Sequence, residues 1–78
     1  MSADRIDAVT QLARRLFHGA KVHEVLIREP AASPPVVEVS ASGQRAESAT
    51  AEELRKRMVA AGLFGDSVRV HLDWWASA

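Results

Sequence analysis

The stretch "SVRVHLDWW" (residues 67–75) decides the fold, because its alternation identifies a strand and both of its faces. The even-numbered positions are apolar: Val68, Val70, Leu72 and Trp74. The odd-numbered positions are polar until the last: Arg69, His71, Asp73 and Trp75. A period of two predicts a strand with one buried face and one face in water. The second tryptophan therefore falls on the face predicted to be wet.

The segment before this strand predicts a helix with marked ends. Thr50–Ala51–Glu52–Glu53 has the pattern of a capping box, in which the threonine and glutamate side chains bond to each other's free backbone N–H groups. Leu54, Met58 and Ala61 follow at helical spacing, and Gly62 stands where a left-handed residue would end the helix.

Two further strands are predicted upstream, in "KVHEVLIRE" (21–29) and "VVEVSA" (36–41). The proline-rich segment "EPAASPP" (29–35) interrupts them, and its short length favours an antiparallel hairpin. Two phasings of the first strand are open. In the preferred one, Val25 and Ile27 face the helices and His23 faces them as well. In the other, Val22 and Leu26 face inward and His23 joins His71 on the wet face.

The chain begins with an amphipathic helix predicted over residues 4–18. Its apolar stripe consists of Ile6, Val9, Ala13, Leu16 and Phe17. Asp4 is placed to cap its start, and Gly19 to end it.

The element order is thus α-β-β-α-β, which predicts one small α+β domain over residues 1–78. We expect a two-layer sandwich, with two helices on one face of a three-stranded sheet. A crossover through the second helix should leave strands two and three parallel. We expect sheet order 2-1-3, with strand one central and strands two and three at the edges. Ferredoxin-like, KH-like and BolA-like domains have sheets of similar topology, which implies no function.

Composition limits the classes of function. Ten basic and ten acidic side chains cancel, so no net field attracts nucleic acid or anionic lipid. The absence of cysteine excludes disulfides and thiolate sites. The polar start "MSADRID" does not resemble a signal peptide, and no stretch is apolar enough to span a membrane. We therefore expect a soluble cytoplasmic protein.

No motif in the sequence indicates an enzyme or a cofactor. The serines have no spaced His and Asp to activate them, and no glycine-rich phosphate loop is present. One hypothesis makes His71 and Asp73 metal ligands, completed by Glu24 or Glu38. The preferred interpretation is a solvated sheet face, with Arg28 and Ser40 among its members, whose opposite charges pair across strands. We predict no metal and no cofactor.

Nucleic-acid binding is the alternative function, through a KH-like or BolA-like domain. Its candidate residues are the basic clusters on the outer faces of the two helices: Arg14, Arg15, Arg55, Lys56 and Arg57. "LARRLFHGAKVHEVLI" (12–27) is similar to the first helix and strand of BolA-like domains, but that family's His-Arg pair near the second helix is absent. "GLFG" (62–65) resembles the GxxG of KH domains, with apolar central residues and a strand, not a helix, after it.

The preferred function is a protein-binding or adaptor module. Trp75 is an apolar residue on a polar face, and indole is enriched in binding hot spots. The third strand is also a predicted sheet edge with unpaired backbone groups. We predict that Trp75, Asp73, His71 and Arg69 bind a partner protein or a second copy of the chain, in preference to nucleic acid, and that no membrane is the partner. The alternative for Trp75 is a monomer in which its ring lies flat over neighbouring strand side chains.

Overall fold

A computed structural model describes residues 2–75, with side chains described from residue 4 onward. It contains two helices and three strands in the predicted order. The bounds are α1 (Ser2–Leu16), β1 (Ala20–Arg28), β2 (Val36–Gly43), α2 (Ala51–Ala60) and β3 (Arg69–Trp75). The α+β class is therefore confirmed.

The sheet has the order β1-β2-β3, with β2 in the centre. β1 pairs antiparallel with β2, and β2 pairs parallel with β3, as the hairpin and the crossover predict. The expected order 2-1-3, with β1 central, is replaced by one in which β1 and β3 form the edges. Burial agrees with this order: Val37, Val39 and Ala41 of β2 are completely buried, whereas the inward residues of β1 and β3 are mostly half-buried. A central strand is flanked on both sides, whereas an edge strand leaves one side open.

Both helices contribute to one core on the inner face of the sheet. α1 packs against β1, α2 packs against β3, and the helices touch each other. The fully buried side chains with the largest volumes are Phe17, Leu54, Met58, Val9, Val37 and Val39. The stripe predicted for the first helix is confirmed, with Ile6 at its partly buried margin.

The helix ends follow the predicted chemistry with two changes. Gly62 has φ 76°, and the N–H groups of Gly62 and Leu63 bond to Val59 and Met58, which is a Schellman ending. Thr50 accepts a hydrogen bond from the N–H of Glu53 at 3.1 Å. The reciprocal half of the capping box is replaced by an ion pair between Glu53 and Arg57.

The other change concerns α1, which begins and ends two residues earlier than predicted. Asp4 lies inside its first turn and is not the cap. A carboxylate there still complements the positive end of the helix dipole. At the other end, the turn at Gly19 has φ 89°, in the left-handed region that favours glycine. It leads directly into β1.

Candidate interaction surface

The sheet face opposite the helices, called here the open face, is a grid of side chains set by strand register. Leu26, Glu38 and His71 form one row across the three strands. Glu24, Ser40 and Asp73 form the next. The predicted members of the wet face are thus brought together. Arg28 and Glu38 pair at 3.3 Å between Nε and Oε2, so the expected pairing of opposite charges across strands is present.

A β-bulge in β1 decides the position of His23. The register shifts between Val22 and Glu24, and His23 has no partner in the ladder. Val22, Val25 and Ile27 all pack against the core, while His23 is exposed. The preferred phasing is therefore right for Val25 and Ile27 and wrong for His23. The extra residue reverses the alternation, so that His23 reaches the open face without displacing an inward residue.

The bulge places His23 beneath Trp75, across the full width of the sheet. The two rings stack, with centroids 4.9 Å apart and an interplanar angle of 17°. His23 Nε2 lies 2.6 Å from the Oγ of Ser42, the β2 residue between them. Trp75 remains 46% exposed. One part of its indole is thus fixed against the sheet, and the other part faces solvent.

Trp74 is directed to the opposite side and packs, half-buried, against the core. Its ring meets Phe17 edge-on at 5.2 Å between centroids. Its Nε1–H donates to the carbonyl oxygen of Gly43 at 2.9 Å, and the Arg45 guanidinium lies 5.4 Å from its ring centroid. The sequence-based assignment of Trp74 to the apolar face is confirmed. The two adjacent tryptophans therefore have different environments.

The four residues predicted to bind a partner lie along one side of β3. Arg69, His71, Asp73 and Trp75 are all exposed. Within residues 4–75, Arg69, His71 and Asp73 take part in no ion pair. β3 is an edge strand, as predicted, and its only partner among the described residues is β2. An exposed edge with free charges and a half-exposed indole is suited to binding another chain.

The metal hypothesis finds no support in the geometry. Among the described residues, no group of three or more His, Cys, Asp or Glu side chains is placed to hold a metal ion. His71 and Asp73 do share a face, but Glu38 beside His71 is paired with Arg28.

The basic clusters proposed for nucleic acid lie on different helices. Arg14 and Arg15 are exposed in the last turn of α1. On α2, Arg55 donates to both carboxylate oxygens of Glu52, at 3.0 and 2.7 Å, and Arg57 pairs with Glu53 at 3.3 Å. The hydrogen bond from Arg55 lowers the pKa of Glu52 below its usual value. Two positive charges of the α2 cluster are therefore locally neutralised.

The GLFG segment contributes to packing. Phe64 is buried, Leu63 is partly buried against the core, and the Arg5 guanidinium lies 4.9 Å from the Phe64 ring centroid. Its central side chains are directed into the protein, unlike those of a loop that presents its backbone to phosphate. Packing against the core therefore explains the apolar central residues of the GLFG segment.

A shallow open depression of about 160 Å³ lies beside the end of α1, lined by His18, Gly19, Gln44, Arg45 and Ala46. It is smaller than the roughly 300–1,000 Å³ of small-molecule sites. Arg45 is also engaged, since its Nε donates to the carbonyl oxygen of Ala49 at 2.9 Å.

The cluster of His23, Ser42 and Trp75 is the feature that reasoning from sequence missed. Its signal is the irregular spacing of Val22, Val25 and Ile27, a step of three followed by a step of two. Such a step within a strand is typical of a bulge.

No helix in the described part of the chain combines the length and apolarity that crossing a membrane requires. Comparison with protein-family models, curated proteins and solved structures finds no match to this chain.

Proposed function

We propose that this chain is a protein-binding module that uses the exposed edge of β3. Its first proposed partner is a second copy of the same chain. The observation that supports this best is Trp75, which is 46% exposed at the end of an edge strand and held by its stack on His23. An aromatic anchor that is already fixed loses little conformational entropy on binding. β3 would supply backbone hydrogen bonds, and Trp75 would supply apolar contact.

The backbone of β3 supports this role. The N–H of Arg69 bonds to the carbonyl of Pro35 at 2.9 Å, on the side of β2. Since the backbone groups of a strand alternate in direction, His71, Asp73 and Trp75 also turn theirs toward β2. Val70, Leu72 and Trp74 turn their N–H and C=O groups outward. An added strand would satisfy these groups.

A matched pair of variants tests the proposal. Trp75 and Leu26 are the two large hydrophobic side chains classed as exposed among the described residues, 46% and 40% respectively. Both lie on the open face, but Leu26 is on β1 at the other edge. Sedimentation velocity over a concentration series should give a dimer for the wild-type chain and for Leu26→Ala. Trp75→Ala should dimerise about thirtyfold more weakly or worse, the fold-change that corresponds to the usual hot-spot threshold of about 2 kcal/mol.

Three results would contradict the proposal. These are a wild-type chain that stays monomeric up to millimolar concentration, an unchanged dimer in Trp75→Ala, or equal weakening in both variants. Amide hydrogen exchange adds a local readout, because association through β3 should slow exchange at Val70, Leu72 and Trp74 as concentration rises.

A further inference from the structure

We infer that the partner strand at the β3 edge is β3 of a second copy, antiparallel to it and centred on His71. This inference rests on the proposed function and specifies its geometry. The result is a two-fold dimer with one continuous sheet and all four helices on the same side. Its basis is the order of the exposed side chains along β3.

The charges on this strand are self-complementary. Arg69 and Asp73 are its two formal charges, they lie on the open face on either side of His71, and neither is ion-paired within residues 4–75. In an antiparallel pair centred on His71, Arg69 lies opposite Asp73 of the partner subunit. The two-fold axis repeats this contact, so two oppositely charged pairs form. Opposite charges placed across strands stabilise a sheet, and like charges destabilise it.

The same register also matches the apolar side chains, and it places His71 on the two-fold axis opposite His71 of the partner subunit. On the helix-facing side, Val70 lies opposite Leu72 of the partner subunit, and each half-buried side chain gains apolar contact. Trp75 lies beside the turn at Ser67 of the partner subunit, and its indole stays over its own sheet, stacked on His23. Val70 and Leu72 are also the residues whose backbone groups point outward, so they form the hydrogen-bonded pairs.

Displaced registers lose the charge match. Directly opposed residues must lie on the same face of the sheet. The pairing between the two strands can therefore shift only in steps of two residues from the register centred on His71. One displacement places Asp73 opposite Ser67 of the partner subunit. The other places Arg69 opposite Trp75 of the partner subunit. Only the register centred on His71 gives both formal charges an opposite charge.

Charge reversal tests the register directly. Arg69→Asp alone would place two carboxylates opposite each other at both contacts, and Asp73→Arg alone would do the same with two guanidiniums. Each single variant should dimerise about tenfold more weakly or worse. An equimolar mixture of the two should form a heterodimer of wild-type strength, because every contact then joins opposite charges. The double variant Arg69→Asp/Asp73→Arg should recover the homodimer.

The controls separate this inference from the proposed function. Circular dichroism establishes that each variant is folded, and Arg14→Asp on the outer face of α1 controls for net charge. If both single variants dimerise more weakly, and neither the mixture nor the double variant recovers wild-type dimerisation, the register is wrong. Protection of the outward β3 amides in the wild-type chain would then still support edge binding. Single variants that dimerise like the wild type would overturn the register as well.

Discussion

The two adjacent tryptophans should differ in their contribution to stability, which we predict by comparing Trp75→Ala with Trp74→Ala. An indole buries at most about 250 Å². Trp75 is 46% exposed, so its covered half corresponds to about 3 kcal/mol at roughly 25 cal/mol per Å². Alanine keeps part of that burial, and a compact denatured state already hides some 10–40% of it. The expected loss is about 2 kcal/mol.

Trp74→Ala should cost more, about 3–5 kcal/mol, as for other aromatic truncations in a core. Trp74 loses its edge contact with Phe17, and the carbonyl of Gly43 loses a donor. A chain of this length has a total stability of about 4–12 kcal/mol, so Trp75→Ala should remain folded, whereas Trp74→Ala approaches the limit.

Urea unfolding followed by circular dichroism measures both losses, at a protein concentration where the chain is monomeric. In thermal unfolding of the same samples, the melting temperature should fall by about 8–16 °C for Trp75→Ala. If Trp75→Ala costs as much as Trp74→Ala, or unfolds the chain at 25 °C, Trp75 is a structural residue. The premise of the proposed interaction surface would then be lost.

Three further predictions concern the scaffold. Leu54→Ala, at a completely buried position, should cost about 2–5 kcal/mol in urea unfolding, and a loss under 1 kcal/mol would contradict the packing described. Gly62→Ala should cost about 1 kcal/mol because φ is 76° there, while Gly65→Ala, at a site with neither a positive φ nor a neighbour within 4 Å, should be neutral or slightly stabilising. Glu52→Gln should lower the melting temperature above pH 4.5, the usual pKa. Because the pKa of Glu52 is lowered in the folded state, the difference in melting temperature between this variant and the wild type should vanish as pH falls further. A difference that grew toward acid pH would refute a stabilising ion pair between Glu52 and Arg55.

Local signals in the sequence predicted the elements well, because each depends on neighbouring residues. The alternation of 67–75, the helix stop at Gly62 and the interruption by prolines at 30–35 each specify a conformation within a few residues. Thr50 likewise caps α2 as predicted, at 3.1 Å from the N–H of Glu53.

Strand order was harder to predict from the sequence, because it depends on how deeply each strand is buried relative to the other two. Three strands with similar alternation permit more than one order. As the central strand, β2 has inner residues that are completely covered, Val37, Val39 and Ala41, whereas the inner residues of the two edge strands are mostly half-buried. Composition does not separate the strands, because the inner residues of β1 are β-branched as well. Predicting the order requires knowing how much helix surface lies above each strand, and that is a tertiary property.

A single backbone irregularity, the β-bulge in β1, places His23 on the open face. A variant in which His23 is deleted tests this explanation. The ladder pairs Val22 with Ala41 and then Glu24 with Ser40, so removal of the unpaired residue leaves a regular strand with every inward side chain unchanged. We expect the deletion variant to fold, since the bulge contributes nothing to the core. It should lose the stack on Trp75, and indole exposure measured by acrylamide quenching in a Trp74→Phe background should rise. Failure of the deletion variant to fold would mean that the bulge sets the twist of the sheet. Unchanged quenching would mean that something other than His23 holds Trp75 in place.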